Sequence, residues 1–402
     1  MTTEILYRAA WVVPVTSPPI RDGFVSVRDG VITDFGPIDL RSMPVHGEIR
    51  DLGASALMPG FVNAHTHLEL SHLGDGAAPG DRGFVPWIED QLRLRGEGSR
   101  DDVASGVRRA IESLQKTGTV GLADVSNSLV AVEPLADSSL HALVLHEILG
   151  FDPAKAAAIM EQTTLQRATA VSVGSKSDRM RIEMAAHAPH SISRELFTLM
   201  MKAGGVKSIH VAESRSEDEF LRDGSGDWRA FLDKRVGPVA FAAPGTTPVQ
   251  YLDELGVLRP GLLAVHCARV NADDAQILAR RGAIAVLCPR SNEYLGNGVP
   301  PLALLLGSGV SIALGSDSLA SCASLDVLDD ARLLVRRFPR VPQNALLHAL
   351  TRGGAMALGF PDLGEIRIGA SARLAQLSFD GAVPKDPIAF LLGDSAPARG
   401  VA

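Results

Sequence analysis

Eight short apolar runs, each closed by a turn and followed by a helical pattern, set what this chain can fold into. They are Ala56–Asn63, Val120–Val125, Ala142–Leu149, Met180–His187, Val206–Ala212, Leu262–Cys267, Ala283–Cys288 and Ser311–Gly315. Such runs suit strands covered on both faces of a parallel sheet, and parallel neighbours need a crossover, usually a helix, between them. Helical periodicity lies between them at Arg100–Thr117, Arg194–Ala203, Asp273–Arg281 and Val299–Ser308. Eight such units predict an α/β fold, a (β/α)8 TIM barrel, with its chemistry on the loops after the strands.

The polar residues fall where the runs stop. The first leads into Pro59-Gly60-Phe61-Val62-Asn63-Ala64-His65-Thr66-His67. Imidazoles at i and i+2 of an extended strand point the same way, and neutral imidazole is a preferred ligand of zinc or ferrous iron. The fourth run ends in His187-Ala188-Pro189-His190 and the fifth in His210-Val211-Ala212-Glu213. The sixth gives His266-Cys267, and the eighth gives Gly315-Ser316-Asp317. One strand-end His or Asp is as well explained by packing or a turn. Four more such ends beside the His-x-His pair point to one shared metal site, because buried charge without a partner is costly.

The terminal segments have a different rhythm. Short β-branched stretches at Ile5–Val15, Gly23–Arg28, Gly30–Phe35 and Glu48–Leu52, with the turn signal Arg28-Asp29-Gly30, read as strands. Gly364–Gly369 leading into Ala372–Phe379 reads the same way. Residues 1–57 and 362–402 are therefore expected to form a small β-sandwich domain, and residues 58–361 the barrel.

A formal charge of −7 argues against a nucleic-acid surface. No apolar stretch reaches the roughly 20 residues that span a bilayer, so no membrane partner is expected. Met1-Thr2-Thr3-Glu4 lacks the basic and apolar regions of a leader, and Cys267, Cys288 and Cys322 form no spaced framework. A cytoplasmic location is the expectation.

The His-x-His pair with these strand-end residues resembles the amidohydrolase superfamily, over nearly the whole chain. The resemblance implies His65, His67, His210 and Asp317 as metal ligands. It departs from the usual pattern at Ala372-Arg373-Leu374, where an acidic residue often follows the alanine. Met180–His187 contains no Lys to bridge two metals, and Glu183 lies four residues before the strand end. One divalent ion per chain follows, with Zn2+ first and Fe2+ as the alternative. The resemblance further implies that Asp317 and Glu213 move protons, while His266 orients the attacking water. For Glu213 the competing reading is a solvated helix-start carboxylate, and for His266 a residue that only orients a ligand.

Longer strings narrow the branch. His65-Thr66-His67-Leu68-Glu69-Leu70-Ser71, Cys288-Pro289-Arg290-Ser291-Asn292 and Pro244-Gly245-Thr246-Thr247-Pro248 are similar to the cytosine-deaminase/chlorohydrolase-like branch, as is Gly315–Ser321. Within it they most resemble the aminodeoxyfutalosine deaminases. This implies a hydrolytic deaminase of a purine nucleoside, with 6-aminodeoxyfutalosine giving futalosine and ammonia on a route to menaquinone. Alternatives on the same site are deamination of adenosine, S-adenosylhomocysteine or methylthioadenosine, and hydrolysis of another heteroaromatic ring. A scaffold barrel would ordinarily have lost metal ligands, and none is missing here.

Substrate contacts are expected from His187, Trp87, Glu89, Arg290, Ser291 and Asn292. Trp87 could stack on a purine, and Arg290 could grip the benzoate carboxylate of aminodeoxyfutalosine, with Arg215 a rival. Glu147 could be a pocket group or an ion-pair partner, and His190 reads as structural. The assembly state is open, a homodimer being one option.

Overall fold

In the computed structural model, which describes residues 4–38, 47–74, 83–393 and 398–401, the chain forms two compact units. One comprises Met1–Ala64, Glu112–Leu122 and Asp326–Ala402, and the other His65–Ile111 and Ala123–Leu325. Met1–Thr3, read above for a leader, lie outside the described residues.

Eight parallel strands run in chain order: β1 (Phe61–Thr66), β2 (Thr119–Ser126), β3 (His141–Ile148), β4 (Met180–Ala186), β5 (Ser208–Val211), β6 (Leu263–His266), β7 (Ile284–Leu287) and β8 (Ser311–Leu314). β1 and β2 are buried at every position, which explains why they read as unbroken apolar runs rather than alternating ones. The barrel closes between its first and last strands through a bridge of Thr66 with Asp317. Asp317 N donates to His65 O at 3.0 Å, and His67 N donates to Asp317 O at 3.3 Å.

The crossover helices begin where the sequence offers caps. Ser193 accepts from Leu196 N at the start of Arg194–Lys202, and Ser214 accepts from Glu217 N at the start of Arg215–Asp223. Thr247 with Gln250 and Asn271 with Asp274 form capping boxes.

Among the described residues, the terminal segments build one seven-stranded sheet from Ile5–Val12, Ile20–Arg28, Val31–Pro37, Glu48–Asp51, Ser55–Pro59, Leu374–Ser378 and Arg399–Gly400. Asp29 and Gly30 both hold positive φ, 53° and 74°, the two-residue turn that joins the second and third of these strands. Tyr7, Val12, Val25, Ile32, Leu57 and Leu374 lie in the apolar core of this sheet.

Two expectations are corrected. The run Ala56–Asn63 is not one strand: Ser55–Pro59 pairs with Ile5–Val12 and Leu374–Ser378, and the barrel strand starts only at Phe61. The break falls at Gly60, where a Cβ would lie 2.2 Å from Val120 Cγ1, so only glycine lets the chain pass. Gly364–Gly369 is irregular, not a strand, with positive φ at both glycines.

Candidate active site

The barrel brings the polar strand ends into one cluster. β1 contributes His65 and, just beyond it, His67; β5 contributes His210 and leads to Glu213; β6 ends at His266; β8 leads to Asp317. Ala212, His266 and Asp317 hold left-handed backbone, with φ of 51°, 73° and 64°. Each non-glycine residue in that region costs about 1–3 kcal/mol, and here the strain turns the chain sharply at the strand mouth. Gly315 lets β8 come close to β1, since a Cβ there would lie 2.6 Å from His65 Cβ.

Three imidazole nitrogens converge. His65 Nε2 and His67 Nε2 each lie 3.3 Å from His210 Nε2, and both lie 3.8 Å from Asp317 Oδ1. A tetrahedral ion with nitrogen bonds of about 2.0–2.1 Å has nitrogen–nitrogen edges of about 3.3–3.4 Å, the spacing seen here. The longer edges to Asp317 fit a more open side for a further ligand. Burial, reinforced by neighbouring imidazoles, holds His65 and His210 well below the usual imidazole range. Neutral rings are the ligating form. His210 Nδ1 bonds the His187 carbonyl at 2.7 Å, which leaves its Nε2 lone pair facing the cluster. The donor set of three imidazoles and one carboxylate fits a single divalent ion.

The acid–base groups stand beside it. Glu213 Oε1 lies 3.5 Å from His266 Nε2. Burial first, then the charges of Asp317 and Glu217, raise the Glu213 carboxyl well above the carboxylate range, which favours a bound proton. Burial lowers His266. Asn292 Nδ2 lies 3.1 Å from His266 Nδ1. With the amide donating, the imidazole proton sits on Nε2, toward Glu213.

Of the six residues expected at the substrate, His187 and Trp87 line the cavity over this cluster. Burial pushes His187 down to about 3, and its Nδ1 bonds Ser191 Oγ at 2.7 Å. The other four do not line it. Glu89 is exposed and pairs with Lys234 at 2.8 Å. Arg290 donates to Ser324 Oγ at 2.9 Å and to Ser324 O at 3.0 Å. Ser291 and Asn292 are fully buried and hold the site from behind: Ser291 Oγ donates to Asp317 Oδ2 at 2.5 Å, and Asn292 meets His266. Their place is fixed by the helix Pro289–Tyr294, whose first turn faces Asp317 and His266. Arg215, the rival for the carboxylate, pairs with Glu219 on the surface.

Of one wall of the cavity, the sequence pointed to Trp87 alone. The helix Phe84–Glu97 lines it with Phe84, Trp87, Ile88, Gln91, Leu92 and Arg95. The spacing Trp87, Gln91, Arg95, one residue every four, was the available signal. Glu147 also lines the cavity and accepts from Asn127 Nδ2 at 2.9 Å.

A sequence profile of the amidohydrolase family matches residues 56–401. The 5-methylthioadenosine/S-adenosylhomocysteine deaminase of Pelotomaculum thermopropionicum is 30% identical over 398 residues, which cover 94% of this chain and 85% of that one. The aminodeoxyfutalosine deaminase of Deinococcus radiodurans is 31% identical over 351 residues, 84% of this chain and 81% of that one. Among solved structures, Helicobacter pylori aminofutalosine deaminase in complex with methylthio-coformycin superimposes with a TM-score of 0.84 at 23% identity, covering 99% of this chain and 100% of that one.

Proposed function

The chain belongs to the amidohydrolase family, and from that premise we propose that it deaminates a purine nucleoside, 6-aminodeoxyfutalosine first among the candidates. Relatives named for aminodeoxyfutalosine and for methylthioadenosine/S-adenosylhomocysteine support the reaction class. The observation that carries the reading is the buried Glu213 carboxyl, 3.5 Å from His266 Nε2, beside the His65–His67–His210–Asp317 cluster. It sets a proton donor next to a metal-ligand set at the floor of one cavity.

His65, His67, His210 and Asp317 would hold one divalent ion, zinc being our first choice. Such an ion supplies a water whose pKa falls from 15.7 to about 7. Ser291, and Ser321 Oγ at 3.3 Å, fix Asp317 Oδ2, so that Oδ1 faces His65 and His67. Asp317 takes a proton from the attacking water. Protonated Glu213 donates to the purine nitrogen beside the amino-bearing carbon, making that carbon more electrophilic. His266 presents Nε2–H to the oxygen that develops charge. Glu213, now ionised, takes the proton of the added hydroxyl and passes it to the amino group, which leaves as ammonia while the ring carbon keeps the oxygen as a carbonyl. The proton held by Asp317 then restores Glu213. Water adds, ammonia departs, and the protons balance.

The test is product analysis in ¹⁸O-labelled water. One ammonia per 6-oxopurine nucleoside, with the label on the purine, is the expected result. Ammonia without labelled product would overturn the hydrolytic step.

A further inference from the structure

We propose that Arg95, held in place by Glu69, reads a carboxylate at the end of the substrate away from the purine. This rests on the nucleoside reading above and narrows it to nucleosides whose distal substituent is anionic. Among the described residues that line the cavity, Arg95 is the one lysine or arginine. Its side chain is 35% exposed, whereas that of Glu69 is 4% exposed.

The pair is built, not incidental. Arg95 Nη2 donates to Glu69 Oε1 at 2.8 Å. Glu69 also accepts from Ser126 Oγ at 2.8 Å, Ser128 N at 3.0 Å, Ser128 Oγ and Asn127 N. Burial alone would raise the Glu69 carboxyl, but Arg95 and the serine donors outweigh it and hold it below the usual range. A fully donated, ionised Glu69 fixes one edge of the guanidinium. Among the described residues Nε and Nη1 of Arg95 have no protein acceptor, so the guanidinium keeps N–H groups to donate to a carboxylate.

The rest of the wall agrees with such a ligand. Phe84, Trp87, Leu92, Trp228 and Phe231 line the same cavity with apolar surface, and Glu213 and His266, given above to the reacting ring, line it too. A nucleoside with an aromatic arm ending in a carboxylate would cover the apolar wall and reach the one cation. Adenosine and methylthioadenosine carry no group for Arg95.

The test compares the parent and R95M on 6-aminodeoxyfutalosine, on its methyl ester and on methylthioadenosine. Losing a charged hydrogen-bonded pair should lower kcat/KM about 10- to 100-fold, chiefly through KM. The parent should show this loss on the ester. R95M should show it on the acid and show no further loss on the ester or on methylthioadenosine. Equal losses on all three substrates, or no ester penalty with the parent, would overturn the assignment. R95M leaves Glu69 buried without its cation, so R95M/E69Q is measured alongside, and the ester comparison on the parent needs no variant.

Calorimetric binding of futalosine and its methyl ester to the parent gives a readout independent of turnover. The acid should bind at least tenfold more tightly, and equal affinities would overturn the proposal. Should the parent release ammonia from none of these nucleosides, the deaminase reading falls, and the binding comparison alone then decides for or against Arg95.

Discussion

Ser291 Oγ donates to Asp317 Oδ2 at 2.5 Å, so a serine in the first turn after β7 sets the direction of a carboxylate that follows β8. Ser321 Oγ reaches the same oxygen at 3.3 Å and Ser291 Oγ at 2.9 Å. The other oxygen is thereby left to face His65 and His67. Groups that orient a ligand from behind typically govern metal affinity about 10- to 100-fold.

S291A should therefore bind zinc about 10- to 100-fold more weakly than the parent. Competition with a chromogenic chelator measures this directly. Unchanged affinity would mean that the backbone alone positions Asp317.

E213Q should keep its metal and fold, and lose turnover. Positioned acid–base groups contribute about 100- to 10,000-fold, so kcat should fall by that order. Metal content by mass spectrometry and steady-state ammonia release check the two halves. Near-parent turnover would remove Glu213 from the proton path.

Asp124 gives a prediction in pH. It is wholly buried at the end of β2 and accepts from Leu68 N at 2.8 Å. Burial is the main cause that raises its carboxyl well above the usual value; the Leu68 bond opposes and Glu69 adds. The folded protein then holds a proton that the unfolded chain releases above about pH 4. Stability from this group is complete below that value and is lost as pH rises through the folded pKa. D124N should gain stability relative to the parent as pH rises from about 4 to 7. Paired denaturant melts across that range measure the difference, and a difference that stays flat would contradict it.

Much of this site was legible because a barrel gathers its strand ends at one mouth. His65, His67, His210, His266 and Asp317 each close an apolar run, so locating the runs locates the cluster. Residues 290–292 were harder. Consecutive residues on a helix diverge by about 100°, so Ser291 and Asn292 reach the site while Arg290 turns to Ser324. A string of one-letter codes gives all three the same address. Arg95 depends on Glu69, 26 residues earlier, and nothing local announces that partner. The split at Gly60 has the same cause: the apolar pattern runs on unbroken, while the partner strand changes from one sheet to the other.

The most direct measurement is kcat/KM for ammonia release by zinc-loaded protein on 6-aminodeoxyfutalosine, S-adenosylhomocysteine, methylthioadenosine, adenosine, guanine and cytosine. The account predicts turnover of purine nucleosides at about 10⁴ M⁻¹s⁻¹ or above, highest for 6-aminodeoxyfutalosine, and none for the free bases. Silence on every nucleoside, from protein shown to carry one metal per chain, would contradict it.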